Sequence, residues 1–230
     1  MNEMLINSAF FGVVITLVCY EIGAWVKRKT NFVLANPLLI AVLLIVGFLL
    51  VFQVDYEAYA KGAGYIQYFL TPATVSLAIP LYRKLELLKK YPAAIFLGIG
   101  AGVLTAMVSI FLMSLAFGLT HTQYVTLLPK SITTAIALGM SEKQGGIIGL
   151  TVVSVSITGI LGNVAAESIC KLFRIQEPIA KGLAIGTSAH ALGTAKAMEL
   201  GEIEGAMSSL SIVVAGIMTV VAIQGFAGLI

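Results

Sequence analysis

The chain has 230 residues, 59% hydrophobic and 11% charged, with 14 Lys and Arg against 11 Asp and Glu and a mean hydropathy of +1.00. A water-soluble domain of this composition would expose apolar patches far larger than such domains tolerate, so a soluble globular fold is excluded and lipid must solvate most of the surface. At about 20 apolar residues per crossing, the length accommodates roughly seven or eight membrane segments in one all-helical, multi-pass domain over 1–230.

Apolar stretches run over about 4–26, 37–52, 62–82, 92–118, 124–141, 145–170, 179–200 and 204–229. The first is read as a retained helix, because Asn2 and Glu3 replace the basic start of a secretory signal. Lys27, Arg28 and Lys29 follow it, and Arg83, Lys84, Lys89 and Lys90 follow the third stretch, so the positive-inside rule makes both loops cytoplasmic and leaves Asp55, Glu57 and the N-terminus outside. The second half conflicts with the same rule. If 124–141 and 145–170 both cross, Lys171, Arg174 and Lys181 end outside, so one of these polar, Pro- or Gly-interrupted stretches is expected to fail to cross. Cys19 and Cys170 stand alone in apolar runs and are expected to be packing residues; no metal or cofactor is expected.

The interrupted stretches resemble one another. PATVSLAIPL at 72–81 aligns with PKSITTAIAL at 129–138, and Thr134–Val153 aligns with Thr194–Val213 through Thr134/Thr194, Ala135/Ala195, Ala137/Ala197, Glu142/Glu202, Gly145/Gly205, Leu150/Leu210 and Val153/Val213. Internal repeats near 60 residues built around broken helices are a transporter pattern, with the solute site at mid-membrane where the half-helices meet. The offset leaves open whether the repeats are parallel or inverted.

The polar chemistry concentrates in these stretches. Pro129 suits a first helical turn, which would put Lys130, Thr133 and Thr134 on one face with Ser131 beside them: an anion site at a helix N-terminus. The blander alternative for Lys130 is an interfacial lysine that snorkels to water. In GTSAHALGTAKA at 186–197, Gly193 and Thr194 are expected to interrupt the helix between His190 and Lys196. His190 is a candidate donor or proton carrier, against a packed, hydrogen-bonded histidine; Lys196 is a candidate cation, against a pair with Glu199. Thr71 caps the helix that Pro72 would open, with Thr74 nearby. Glu21 and Glu167 read as partners of Lys27 or Arg28 and of Lys171. No phosphate loop, H-E-x-x-H, C-x-x-C or G-x-S-x-G is present, so no enzymatic activity is expected; a Ser188/His190 dyad would need an unwound backbone.

NPLLIA at 36–41, PATVSLAIPLY at 72–82, PKSITTAIA at 129–137 and GTSAHALGTAKA at 186–197, in this order, resemble the LrgB/CidB family along almost the whole chain, on its CidB-like side. Thr71 stands where many members have glycine, and Ala135 where some have proline, which would straighten that half-helix. The resemblance implies a bacterial plasma-membrane protein and two functions. One is a carrier of small monocarboxylates such as pyruvate, glycolate or glycerate. The alternative is a holin- or antiholin-like component that modulates murein hydrolase activity and autolysis. The residues favour the carrier, since a lytic pore needs no buried lysine or repeated broken helices. Its expected site joins Lys130, Ser131, Thr133 and Thr134 to His190, Gly193, Thr194 and Lys196, supported by Asn36, Thr71 and Thr74. The expected partners are the bilayer, a small carboxylate and, through the resemblance, a small LrgA/CidA-type membrane protein, with a homo-oligomer left open and no nucleic acid.

Overall fold

The computed structural model describes residues 8, 10–30, 37–69, 72, 75, 76, 79, 82 and 85–230, and every regular element among them is helical. Asn36, Thr71 and Thr74 lie outside the described residues. The chain forms two compact units, Met1–Ser76 and Leu77–Ile230.

The first unit holds α1 (Phe11–Thr30), α2 (Pro37–Val51) and α3 (Tyr56–Gln67). Gly12 brings α1 against the α3 backbone at Tyr59 and Ala63, and Gly23 brings it against Pro37, an approach that a side chain would block. Helix α3 begins before the expected stretch at 62, because the Asp55 carboxylate caps it by accepting from the Glu57 N–H at 3.4 Å. Glu21 pairs with Arg28 at 2.9 Å and Lys29 lies 4.8 Å from the Trp25 ring centre, the grouping of charge and aromatic found at a membrane–water boundary.

The second unit holds α4 (Leu85–Lys90), α5 (Pro92–Phe117), α6 (His121–Leu127), α7 (Thr134–Lys143), α8 (Ile148–Leu172), α9 (Pro178–Leu200) and α10 (Glu202–Phe226), which ends in the 3-10 turn Ala227–Leu229. Among the described residues three helices are long and apolar enough to cross a membrane: α5, α8 and α10 with its final turn. They fall within a few residues of the expected stretches at 92–118, 145–170 and 204–229. Pro92 opens α5, and Gly118 at φ 62° closes it; Thr120 and Gln123 then form a reciprocal capping box that starts α6 at once.

The helices between these spans reverse. The α9 backbone breaks at His190 (φ 42°, ψ −135°), three residues before the expected interruption at Gly193 and Thr194. A Cβ on Gly193 would meet the Ile185 carbonyl oxygen at 3.0 Å, although residues eight apart are about 12 Å apart along a straight helix. Ser208 likewise touches both legs: its backbone is packed against Gly186, and its hydroxyl is 2.7 Å from that of Thr194. Helix α9 is therefore a hairpin with its apex at His190. Gly193 serves the close approach of the legs, not the break.

A second reversal joins α6 and α7. The expected helix from Pro129 does not form; residues 128–133 make a turn with Lys130 N–H donating to the Leu127 carbonyl at 3.1 Å, and α7 starts at Thr134. Lys130, Thr133 and Thr134 consequently do not share a helix face. The α7 end returns to the α6 end, where the Thr151 hydroxyl donates to Ser141 Oγ at 2.6 Å and reaches the Thr126 carbonyl at 3.3 Å. Ala135 is the second residue of α7, where a proline would also fit, so that departure from the family pattern leaves the break intact.

These pairings fix the directions. Helices α5 and α10 run parallel: Ile95, Ile99 and Val103 pack with Ala206, Met207 and Leu210, and Met107 and Ile110 with Ile223 and Ala227. The first leg of α9 runs with them, since Gly182 abuts Glu204 and Gly186 abuts Ser208. Helix α8 runs opposite, so Lys171, Arg174 and Lys181 share the end that carries Lys89 and Lys90. The α6–α7 hairpin enters from the other end, where Tyr124 donates to the Phe226 carbonyl at 2.9 Å. The hairpins approach from opposite ends, and the charge conflict at Lys171, Arg174 and Lys181 disappears.

Apolar side chains cover the outer surface as well as filling the core, and several hydroxyls are buried. Leu97, Leu104, Leu115, Ile217 and Val221 are exposed, whereas Thr126, Ser141, Thr151, Thr194, Ser208 and Ser211 are buried, the distribution expected when the outer solvent is hydrocarbon. The tight crossing of α9 on α10 yields one prediction. Gly186→Val would drive a branched side chain into the Ser208 backbone, with an expected cost of about 1 to 3 kcal/mol or more and a lowered unfolding temperature in detergent. Gly139→Ala, with nothing within 4 Å, should leave it unchanged or slightly raised.

Candidate solute site between two opposed hairpins

A cavity of about 650 Å³ lies between α5, α8, the turn at 128–133 and the first leg of α9. Its polar lining is Lys130 and Ser131 from one hairpin, Thr187 and Ser188 from the other, Thr105 from α5 and Thr158 from α8. Gly98, Gly102 and Gly162 open the space: a Cβ on Gly102 would meet Thr187 Cγ2 at 2.8 Å, and one on Gly162 would strike Ala189.

Lys130 is half-buried, and its ammonium reaches Ser131 Oγ at 3.4 Å. No acidic side chain lines the cavity, and no ion pair among the described residues involves Lys130. Thr187 is buried and its hydroxyl has no hydrogen-bond partner among the described residues, whereas those of Ser188 and Thr105 are satisfied by carbonyls of their own helices at 2.8 and 2.7 Å. An uncompensated cation and an unused buried hydroxyl face one space. That combination suits an anion with hydrogen-bonding capacity, because a buried polar group without a partner is costly.

The remaining expected site residues lie outside this lining. Thr133 is the N-cap of α7 but makes no side-chain cap bond, which leaves the first-turn N–H groups of Thr134 and its neighbours unclaimed by it, at the positive end of a helix dipole. His190 is buried, 3.2 Å from the Val155 carbonyl and packed where a Cβ on Gly159 would lie, a packed and hydrogen-bonded histidine at the apex. Thr194 joins the His190 carbonyl to Ser208 at 3.0 and 2.7 Å, and Gly193 seats the two legs. Lys196 is held by Glu199 at 3.0 Å and by Glu167 at 3.7 Å. Glu167 also pairs with Lys171 at 2.8 Å, as the i, i+4 spacing predicts. Ser188 and His190 bond in different directions, so no dyad forms. Thr105, Thr158 and Thr187 are lining residues that sequence reasoning passed over; the only signal for Thr187 was membership of the small-residue run before His190.

Comparison with known proteins gives a consistent answer. The model of the LrgB-like family matches residues 16–229. The antiholin-like protein LrgB of Bacillus cereus (strain B4264) and that of Bacillus anthracis (strain CDC 684 / NRRL 3495) are each 40% identical over 220 residues, 95% of this chain and 96% of the relative. No solved structure matches.

Proposed function

The chain belongs to the LrgB-like family, and from that premise we propose that it is a multi-pass carrier of small organic acids in a bacterial plasma membrane. The observation that carries this reading is the cavity between the two hairpins, where among the described residues Lys130 has no acidic partner and the Thr187 hydroxyl is unused. Charge and donors at depth serve a carboxylate; a scaffold role gives no reason to keep them. In this reading the hairpins are re-entrant, entering from opposite membrane faces as inverted repeats. The repeat offset then makes Lys130 and His190 equivalent apex residues, and α7–α8 equivalent to the second leg of α9 with α10. Lys130 and Ser131 hold the carboxylate, Thr187 orients it, and Thr133, Thr134, His190, Gly193 and Thr194 set the apex geometry, with Lys196 bracing the hairpin root.

The second reading is an antiholin-like membrane component acting with a small LrgA/CidA-type partner. The names of the relatives favour it over the carrier. The two separate by solute dependence. Proteoliposomes holding the purified chain should take up labelled pyruvate, lactate, glycolate or glycerate saturably and selectively. Release of an unrelated neutral dye without saturable uptake would favour the antiholin-like reading.

A further inference from the structure

A second cavity, of about 300 Å³, lies at the root of the α9 hairpin and shares no lining residue with the solute cavity. Lys171 at the end of α8, Arg174 in the turn after it, Lys181 from the start of α9 and Leu200 from its second leg converge on it with Glu167 and Gln176. Glu167 is already engaged by Lys171 and Lys196, whereas neither Arg174 nor Lys181 has an ion-pair partner among the described residues. Arg174 is held at φ 54°, a left-handed conformation that glycine adopts without cost and arginine does not. The cavity sits at the end of α8, one of the three helices long and apolar enough to cross a membrane, and therefore at the depth of lipid headgroups.

We infer that this pocket binds the phosphate of an anionic phospholipid, with Arg174 and Lys181 on the headgroup. The charge calls for a phosphate-bearing anion, and the position at headgroup depth selects a lipid over a soluble phosphate. A cation near an anionic lipid surface contributes about fivefold in affinity, the equivalent of about 1 kcal/mol. Because the pocket touches both legs, the bound lipid clamps the hairpin at its root.

The test is lipid retention by the purified full chain in detergent, read by mass spectrometry, with thermal unfolding alongside. Phosphatidylglycerol should be retained and should raise the unfolding temperature, while phosphatidylcholine should do neither. Arg174→Gly removes the guanidinium and relieves the backbone, so it should fold at least as well yet retain about fivefold less; adding Lys181→Gln should bring the loss to about 25-fold. Lys143→Gln, at the other end, should change nothing. Equal retention of phosphatidylcholine, full retention by the double variant, or inorganic phosphate reproducing the whole thermal shift would overturn the assignment.

Discussion

Replacing Lys130 by methionine is expected to lower the initial rate of small-carboxylate uptake about 10- to 100-fold at subsaturating solute, with no loss of thermal stability. A hydrogen bond to a charged group contributes about 1.5 to 3 kcal/mol, which sets the range for a lost carboxylate contact. Stability should hold or rise, because the ammonium lies half-buried without an acidic partner among the described residues and methionine fills the same space without a charge to desolvate. Unchanged uptake with raised stability would reduce Lys130 to a tolerated lysine in a turn.

The second large effect is expected at His190. Its φ of 42° with ψ of −135° places a non-glycine residue where only glycine is at ease, at a cost of about 1 to 3 kcal/mol. His190→Ala keeps that cost while losing the bond to Val155 and the packing at Gly159, so it should unfold well below the parent. His190→Gly loses the same contacts but relieves the backbone, and should unfold at a clearly higher temperature than the alanine variant. Equal unfolding temperatures would mean that the apex is not strained.

Hydropathy alone found the spans α5, α8 and α10, because a run of about 20 apolar residues is a local property that bilayer thickness reads directly. The charges of Lys171, Arg174 and Lys181 also led to the expectation that a stretch between those spans does not cross. The manner of failure was not legible. A helical hairpin needs one residue outside helical backbone, and His190 is among the last a propensity argument would choose. Gly193 and Thr194 attracted attention as breakers, yet one provides close approach and the other a hydroxyl bridge to Ser208. The α6–α7 reversal was hidden for a related reason: Pro129 permits either a helix start or a turn, and the choice follows from the cluster of Thr126, Ser141 and Thr151, which is apparent only once 25 residues have folded together. Thr187 escaped because its significance is a missing partner, a property of packing and not of sequence.

The carrier reading requires two hairpins that enter from opposite faces and meet at Lys130 and Thr187. Its most direct test is labelling of single cysteines with a membrane-impermeant maleimide, in Cys19→Ser, Cys170→Ser chain, from either side of intact and inverted vesicles. Thr122→Cys and Gln144→Cys should react from one face only, and Gln176→Cys and Glu199→Cys from the opposite face only. If Thr122→Cys and Gln144→Cys reacted from opposite faces, or Gln176→Cys and Glu199→Cys did, that stretch would cross the membrane and the opposed-hairpin site would not exist.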